Sequence, residues 1–437
     1  MISRETWIKI IKDFQEFKLP QLVERDLRIE LDIPIKRTIS IIGPRRAGKT
    51  FFMYQIISKL EQNNVDRNRI LYVNFERVEL IGCKPEDLRH MLDIFYEIYP
   101  ESKKQKVYLF LDEVQNVPGW EIFVRSVMDS ENIQVFVSGS SSKLLSMELA
   151  TSLRGRTISY YIYPFNFREF LRAVGFEVDK YLSSSQKAML LNLLQKYLKG
   201  SYPEAVLFEK EREKIVKEIF NVMVYRDIIE RFKVKNIRVL HLLAKGLVSS
   251  TYFSIRKFYN YLKSMGIEVS KNTIYNYMEY FSDSLVLYPL RKYSPSYRAV
   301  EQTIPKIYMV DNGLLLINGV EDTGRLMENL VFAELLKRGL TPNENFFYLR
   351  LNNKEVDFII KNGEKIEQLI QVCYSVEDFV TREREINALV KASRELNCDN
   401  LAVITWDYEN TEEHDGKIIR YIPLWKWLLE HNYDMPL

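Results

Sequence analysis

Cysteine, histidine and net charge are all scarce in this chain. Among 437 residues there are only three cysteines, Cys83, Cys373 and Cys398, widely separated and odd in number, which supplies neither a disulfide framework nor paired zinc spacing. A reducing cytoplasm is the expected setting. The four histidines, His90, His241, His414 and His431, are equally scattered and form no HExxH helix or Cys/His cluster. With 62 basic against 59 acidic residues the net charge is only +3, so a nucleic-acid site must come from local clustering. No apolar run approaches the ~20 residues a membrane helix needs. The start, Met1-Ile2-Ser3-Arg4-Glu5-Thr6-Trp7, lacks the apolar core of a secretory signal, so no membrane partner is expected. At about 100 to 200 residues per domain, the length argues for several domains.

What is present is a loop. Gly43-Pro44-Arg45-Arg46-Ala47-Gly48-Lys49-Thr50 matches GxxxxGK[ST] directly after the apolar run Thr38-Ile39-Ser40-Ile41-Ile42, and Phe51 opens a helical pattern continued by Phe52, Ile56, Ile57 and Leu60. A loop closed by glycines aims backbone N–H groups at phosphate oxygens, Lys49 adds positive charge, and the Thr50 hydroxyl reaches a magnesium ion. The expectation is a nucleoside-triphosphate binder, with residues 43–51 around ATP or ADP and Mg2+ held by Thr50 and Asp112. Downstream, Ile70–Phe75 and Val107–Leu111 read as buried strands, the second running into Asp112-Glu113. In a parallel sheet that edge faces the loop, so Asp112 is expected to orient the metal and Glu113 to activate water as general base. The competing reading is a solvated strand end. A further strand, Val135-Phe136-Val137, leads into Ser138-Gly139-Ser140-Ser141-Ser142, where Ser138 or Ser140 faces the site or caps a helix beginning near Lys143.

Together with Asp112-Glu113-Val114-Gln115-Asn116-Val117-Pro118-Gly119-Trp120-Glu121, Leu153-Arg154-Gly155-Arg156 and Tyr163-Pro164-Phe165-Asn166-Phe167-Arg168-Glu169-Phe170, these segments resemble a family of archaeal and bacterial P-loop ATPases of the AAA+/STAND group. The resemblance implies ATP hydrolysis. It also implies Asn74 as the polar partner of Glu113, Ser138 or Ser140 as a sensor of the γ-phosphate, and Arg154 or Arg156 as a phosphate sensor or finger. A finger acts by neutralising charge on the transferring phosphoryl group, often from a neighbouring subunit, which would require a homo-oligomer. The bland alternative is a basic turn before Thr157–Tyr163.

Farther on, helical periodicity over Phe165–Arg231, with a punctuated Gly200-Ser201-Tyr202-Pro203-Glu204, resembles the helical lid of the same ATPases. Residues 235–300 run helix, helix, helix and a β-like Leu285–Leu290, the plan of a winged helix. Clustered Lys257, Lys263, Lys271, Arg291 and Lys292 make DNA the expected partner of that module; a protein-contact role is the alternative. The last part, with Glu328 on a helix, Asp357 on a strand and Gln371-Val372-Cys373 on the next, is similar to PD-(D/E)xK nucleases. Cys373 stands where the lysine belongs and Gln371 brings no charge, so either Lys354 or Lys365 moves in or cutting is lost. The whole predicts an α/β protein: an AAA+-type P-loop parallel sheet (1–163), a helical lid (164–232), a winged helix (233–303) and a restriction-endonuclease-like α/β domain (304–437). A DNA motor, a slow nucleotide switch and an ATP-controlled nuclease compete as functions.

Overall fold

Short apolar runs bounded by polar turns become the strands of the first unit. The computed structural model describes residues 1–31, 35–139, 155–351, 354–375 and 379–430, and these form two compact units, Met1–Tyr163 and Pro164–Leu437. In the first, β1 (Thr38–Ile42), β2 (Ile70–Asn74), β3 (Val107–Asp112), β4 (Ile133–Gly139) and β5 (Thr157–Tyr161) form one parallel sheet in the order β2-β3-β4-β1-β5. β1, β3 and β4 are buried at every position, which is why they read as continuous apolar runs rather than alternating ones. Ile39, Ile41, Phe52, Ile56, Phe110 and Phe136 are among the residues packed on one face of the sheet, where the last two rings stack with centroids 4.5 Å apart.

The order of strands positions the site. β4 lies between β1 and β3, so the residue ending β4 sits between whatever follows β1 and whatever ends β3. The helix Lys49–Gln62 follows β1 at once, its start preceded by Gly48 at φ 100°, a left-handed conformation that favours glycine. Gly43 is required for a different reason: a Cβ there would stand 2.1 Å from the Ile162 carbonyl oxygen.

The second unit begins with helices, Phe167–Ala173, Ser184–Leu198, Pro203–Leu207 and Arg212–Val222, the last continuing as a π-helical turn, Met223–Glu230. Asn166 and Ser183 start the first two with reciprocal capping boxes. Three more helices, Ile237–Ser249, Ile255–Ser264 and Lys271–Asp283, are each capped by a polar side chain, Asn236, Ser254 and Ser270, which explains why the chain breaks there. β6 (Leu287–Leu290) then pairs antiparallel with β7 (Lys306–Met309), and Tyr252 bridges to Lys306. The partner of β6 thus lies beyond residue 303, inside the stretch expected to open the last domain.

Helices Asn312–Leu316 and Thr323–Lys337 lead into a mixed sheet of β8 (Phe346–Leu351), β9 (Lys354–Asn362), β10 (Lys365–Cys373), β11 (Leu401–Thr405), β12 (Asn410–His414) and β13 (Lys417–Pro423), ordered β12-β13-β11-β10-β9-β8. The Asn362-Gly363 turn joins β9 to β10 with Gly363 at φ 58°. The helix Phe379–Leu396 packs Leu389 and Ala392 among buried Ile359, Leu369, Leu401 and Val403. Asp311, ahead of the Asn312 helix, accepts hydrogen bonds from the Ser201 backbone (2.6 Å) and hydroxyl (2.9 Å) and from the Gly313 N–H (2.8 Å). The loop at 200–204 is therefore clasped within this unit. Among the described residues no helix is long and apolar enough to cross a membrane.

Candidate functional site

The Thr50 hydroxyl donates to Asp112 Oδ2 at 2.7 Å, bringing together residues 62 positions apart in the chain. Thr50 stands in the first turn of its helix and Asp112 ends β3. The same carboxylate accepts from the Tyr72 hydroxyl at 2.7 Å, from Asn74 Nδ2 at 3.3 Å and, on its other oxygen, from the Ser138 hydroxyl. Burial and the charge of Glu113 push the Asp112 carboxyl above its ordinary value, against the pull of those hydroxyl donors. A hard cation beside Asp112 would relieve that strain, and the pairing with a threonine hydroxyl fits an oxygen-seeking ion such as Mg2+.

Glu113 stands in the left-handed region at φ 52°, a costly conformation for a residue with a side chain. Its N–H donates to Ser138 Oγ at 2.9 Å, so one hydroxyl serves both acids. Its carboxylate lies 3.5 Å from the Lys49 ammonium and accepts from Gln115 Nε2 at 2.5 Å. Burial works to raise Glu113, but the Lys49 ammonium, the Gln115 amide and the Arg45 charge outweigh it and hold the group below its ordinary value. Lys49 is itself buried and also donates to the Gly43 and Pro44 carbonyls, at 3.1 and 3.3 Å.

Around the loop, Arg45 pairs with Glu76 at 3.1 Å, Arg46 takes φ 64°, and Ala47 is buried with its carbonyl accepting from Arg25 at 2.9 Å. Phe51 is half exposed, its ring against Tyr54. Asn74 reaches Asp112 rather than Glu113, which corrects its expected partner. Arg156 is not brought to the loop. It precedes β5, whose first residue is in register with the first residue of β1, at the opposite end of the sheet, and it pairs with Asp129 at the surface. Arg154 and Ser140 lie outside the described residues. Tyr72, Gln115 and Arg25 were not anticipated. Tyr72 was readable, two positions before Asn74 on a strand and hence on the same face.

In the second unit, Glu328 and Asp357 do converge, but around a lysine the sequence reading passed over. Lys306 Nζ lies 2.6 Å from Glu355 Oε1, 2.7 Å from Glu328 Oε1 and 3.2 Å from Asp357 Oδ1, with its side chain 2 % exposed. Burial would lower the Lys306 ammonium, but Glu328, Tyr308, Asp357 and Glu355 raise it well above its ordinary value. Burial and Glu328 likewise raise Asp357. Neither expected substitute arrives: Lys354 donates to the Asn387 carbonyl and Lys365 is exposed beside the β9–β10 turn. Cys373 is buried and its thiol, facing the Ser375 carbonyl, is pushed up to about 11, mainly by burial. Gln371 accepts from the Asp357 N–H at 3.3 Å and donates to Glu385.

On the three-helix segment, Arg256, Lys257, Lys263, Lys271, Asn272, Tyr275 and Asn276 are exposed. Arg291, by contrast, pairs with Glu301 at 2.9 Å.

A family described as an AAA domain matches residues 36–171, and two domains of unknown function, DUF8612 and DUF4143, match 190–322 and 323–427. The first unit therefore carries an AAA-type P-loop domain, which implies nucleotide binding. Protein MJ1544 of Methanocaldococcus jannaschii, described as uncharacterized, is 39% identical over 434 residues, 97% of this chain and 94% of the relative. An uncharacterized protein of Haemophilus influenzae is 30% identical over 440 residues, 98% of this chain and 99% of the relative. Among solved structures, the Walker-type ATPase PABY2304 of Pyrococcus abyssi aligns with a TM-score of 0.44 and 12% identity, covering 73% of this chain and 96% of that one.

Proposed function

The chain belongs to the family of these Methanocaldococcus and Haemophilus relatives, and we propose that it is an ATP-hydrolysing ATPase of the AAA+/STAND type that couples nucleotide state to DNA binding or remodelling. The observation that carries this reading is the 2.7 Å contact between Thr50 and Asp112 with Lys49 and Glu113 beside it. In this reading the 43–51 loop and Lys49 hold the phosphates, and Thr50 and Asp112 hold Mg2+, which supplies charge neutralisation on the transferring phosphoryl group. Glu113 takes the proton of the attacking water, Ser138 holds both acids in register, and Asn74 fixes Asp112. Arg154 or Arg156 acts in trans within a homo-oligomer. The helices over 164–232 serve as lid, and 233–303, extended to Met309, forms a winged helix. Its order of helix, Tyr252 bridge, two helices and hairpin supports that assignment. Exposed Lys257, Lys263 and Lys271 support contact with DNA phosphates. We read the 304–437 region as a restriction-endonuclease-like domain that has lost cutting, a reading supported by Glu328 and Asp357 converging while Cys373 stands in the lysine position.

A slow switch is the second reading, favoured by one contact: Glu113 is already engaged by Lys49 and Gln115 and must be released before it can act on water. ATP turnover measured with and without single-stranded, duplex and branched DNA, beside Lys49→Ala and Glu113→Gln, separates them. Stimulation by DNA that both variants lose supports the coupled ATPase. Slow turnover indifferent to DNA, with assembly differing between ATP and ADP, supports the switch. No turnover in any condition overturns the hydrolytic reading.

A further inference from the structure

The carboxylates around Lys306 come from separate elements: Glu328 from the helix Thr323–Lys337, Glu355 and Asp357 from β9, all meeting at a point reached from β7. Carboxylate oxygens are the donors a hard divalent cation takes, and three of them lie within 3.2 Å of one point, yet among the described residues no group of three or more His, Cys, Asp or Glu side chains is spaced to hold a metal ion. Here the point is taken by the lysine's own nitrogen. The fit to a metal therefore fails on geometry: an ion there would lie against an ammonium that cannot leave without abandoning its partners. The surroundings lock it in place. Tyr308 donates to Glu328 and Tyr252 to Glu355, while the Val372 N–H donates to Asp357 Oδ2 at 3.0 Å. The rings of Tyr252 and Tyr348 flank the ammonium with centroids 5.8 and 5.9 Å away.

We propose that Lys306 is a built-in cation standing where a divalent metal would otherwise bind, and that it converts the pocket into a metal-free joint fastening the β6–β7 hairpin to the C-terminal mixed sheet. The inference goes beyond the nucleotide reading and shares no residue with the phosphate-loop site, so either can fail without the other. Lys306 and Tyr308 belong to the 190–322 match, whereas Glu328, Glu355 and Asp357 belong to the 323–427 match. The cluster thus ties two family segments together within one compact unit. The hairpin strand that carries Lys306 is also the one that Tyr252 bridges, so the three-helix segment hangs on the same lysine.

The test is Mn2+ binding followed by electron paramagnetic resonance on nucleotide-free full-length protein, all in an Asp112→Asn background that silences the phosphate-loop metal site. With Lys306 present, no saturable site that depends on Asp357 is expected, and Asp357→Asn should change nothing. Lys306→Met, which keeps most of the stem, ends one heavy atom short of the ammonium position and removes the charge, should create one Mn2+ site per chain that disappears when Asp357→Asn is added. A saturable, Asp357-dependent Mn2+ site in the lysine-containing protein overturns the proposal. So does a folded Lys306→Met protein, checked by circular dichroism, that binds no more Mn2+ than its parent. Should Lys306→Met not fold, the lysine-containing pair still decides. Limited proteolysis adds a readout of the joint: with Lys306 intact the segment between β6 and β8 should resist cleavage equally with and without Mg2+, and protection that requires Mg2+ counts against a metal-free joint.

Discussion

Two lysines in this chain meet carboxylates away from water, and the difference between them separates a site that receives a ligand from one that excludes it. Lys49 faces one carboxylate, Glu113, at 3.5 Å, and otherwise leans on two loop carbonyls. Lys306 faces three carboxylates at 2.6 to 3.2 Å. The first pairing is longer and involves a single carboxylate, which in the proposed function leaves the ammonium able to turn to phosphate oxygens. The second is saturated. An ammonium with three donors has each of them spoken for, and nothing in its neighbourhood offers a better partner. Both sites contain a lysine and acids at strand ends or strand centres, yet charge balance and distance give them opposite uses.

The comparison is most severely tested by Lys306→Met, which leaves three carboxylates facing one another in a buried pocket. Breaking a buried ion cluster by removing one partner costs about 3–5 kcal/mol. Urea unfolding of the second unit should shift by that much, and Glu328→Gln added to it should recover part of the loss. Lys49→Ala removes the charge that meets phosphate in the proposed reaction and leaves buried Glu113 without its ammonium partner. ATP turnover should fall on the order of a hundredfold or more, a loss of about 2.7 kcal/mol or more in transition-state stabilisation, and the urea midpoint of the first unit should fall by less than that of the second unit in Lys306→Met, since one carboxylate rather than three loses its partner.

Lys271→Ala together with Lys257→Ala should weaken duplex DNA binding severalfold and lower its salt slope by about 2, since each lysine neutralises about one phosphate. Binding without salt dependence would remove DNA phosphates from the account. A smaller effect concerns pH. Glu113 lies below its ordinary value in the fold, so it contributes stability that is fully present above its unfolded value of about 4.3 and is lost as pH falls through the lower folded value. Glu113→Gln should therefore flatten the acid limb of stability against pH; an unchanged limb would show that Lys49 is not its partner in solution. Smallest of all, Arg156→Ala breaks an exposed pair with Asp129 and should change stability by less than about 1 kcal/mol. Its effect on turnover, if it acts in trans, should appear only in assembled protein.

The first unit was legible because its signals are local. GxxxxGK[ST] after Ile42, and Asp112-Glu113 after an apolar strand, are contiguous in the chain, and the parallel sheet then brings their strand ends to one edge. What escaped was contributed by tertiary neighbours: Tyr72 from β2, and Arg25 from a segment without regular structure. In the second unit Glu328 and Asp357 were found by their order, but Lys306 was missed. It heads the short run Lys306–Met309 with no motif of its own, and the strand pairs with β6 while its ammonium is buried among carboxylates from later elements. The β6 partner was missed for the same reason, because local helical signal says nothing about which strand closes a hairpin across the connection from Leu290 to Lys306. Arg156 was placed by proximity to a motif in sequence, and strand direction put it at the far end.

β4 is a spacer. Two interstrand gaps of about 4.8 Å separate the strand that launches the loop from the strand that ends in the acids, and Ser138, at the end of the strand between them, holds Asp112 and the Glu113 N–H with one hydroxyl. The sheet works as a caliper whose jaws are Lys49 and Glu113 and whose opening is set by backbone pitch rather than by side-chain choice. A change in the tilt of that one strand would alter the aperture without touching any residue that grips the phosphates.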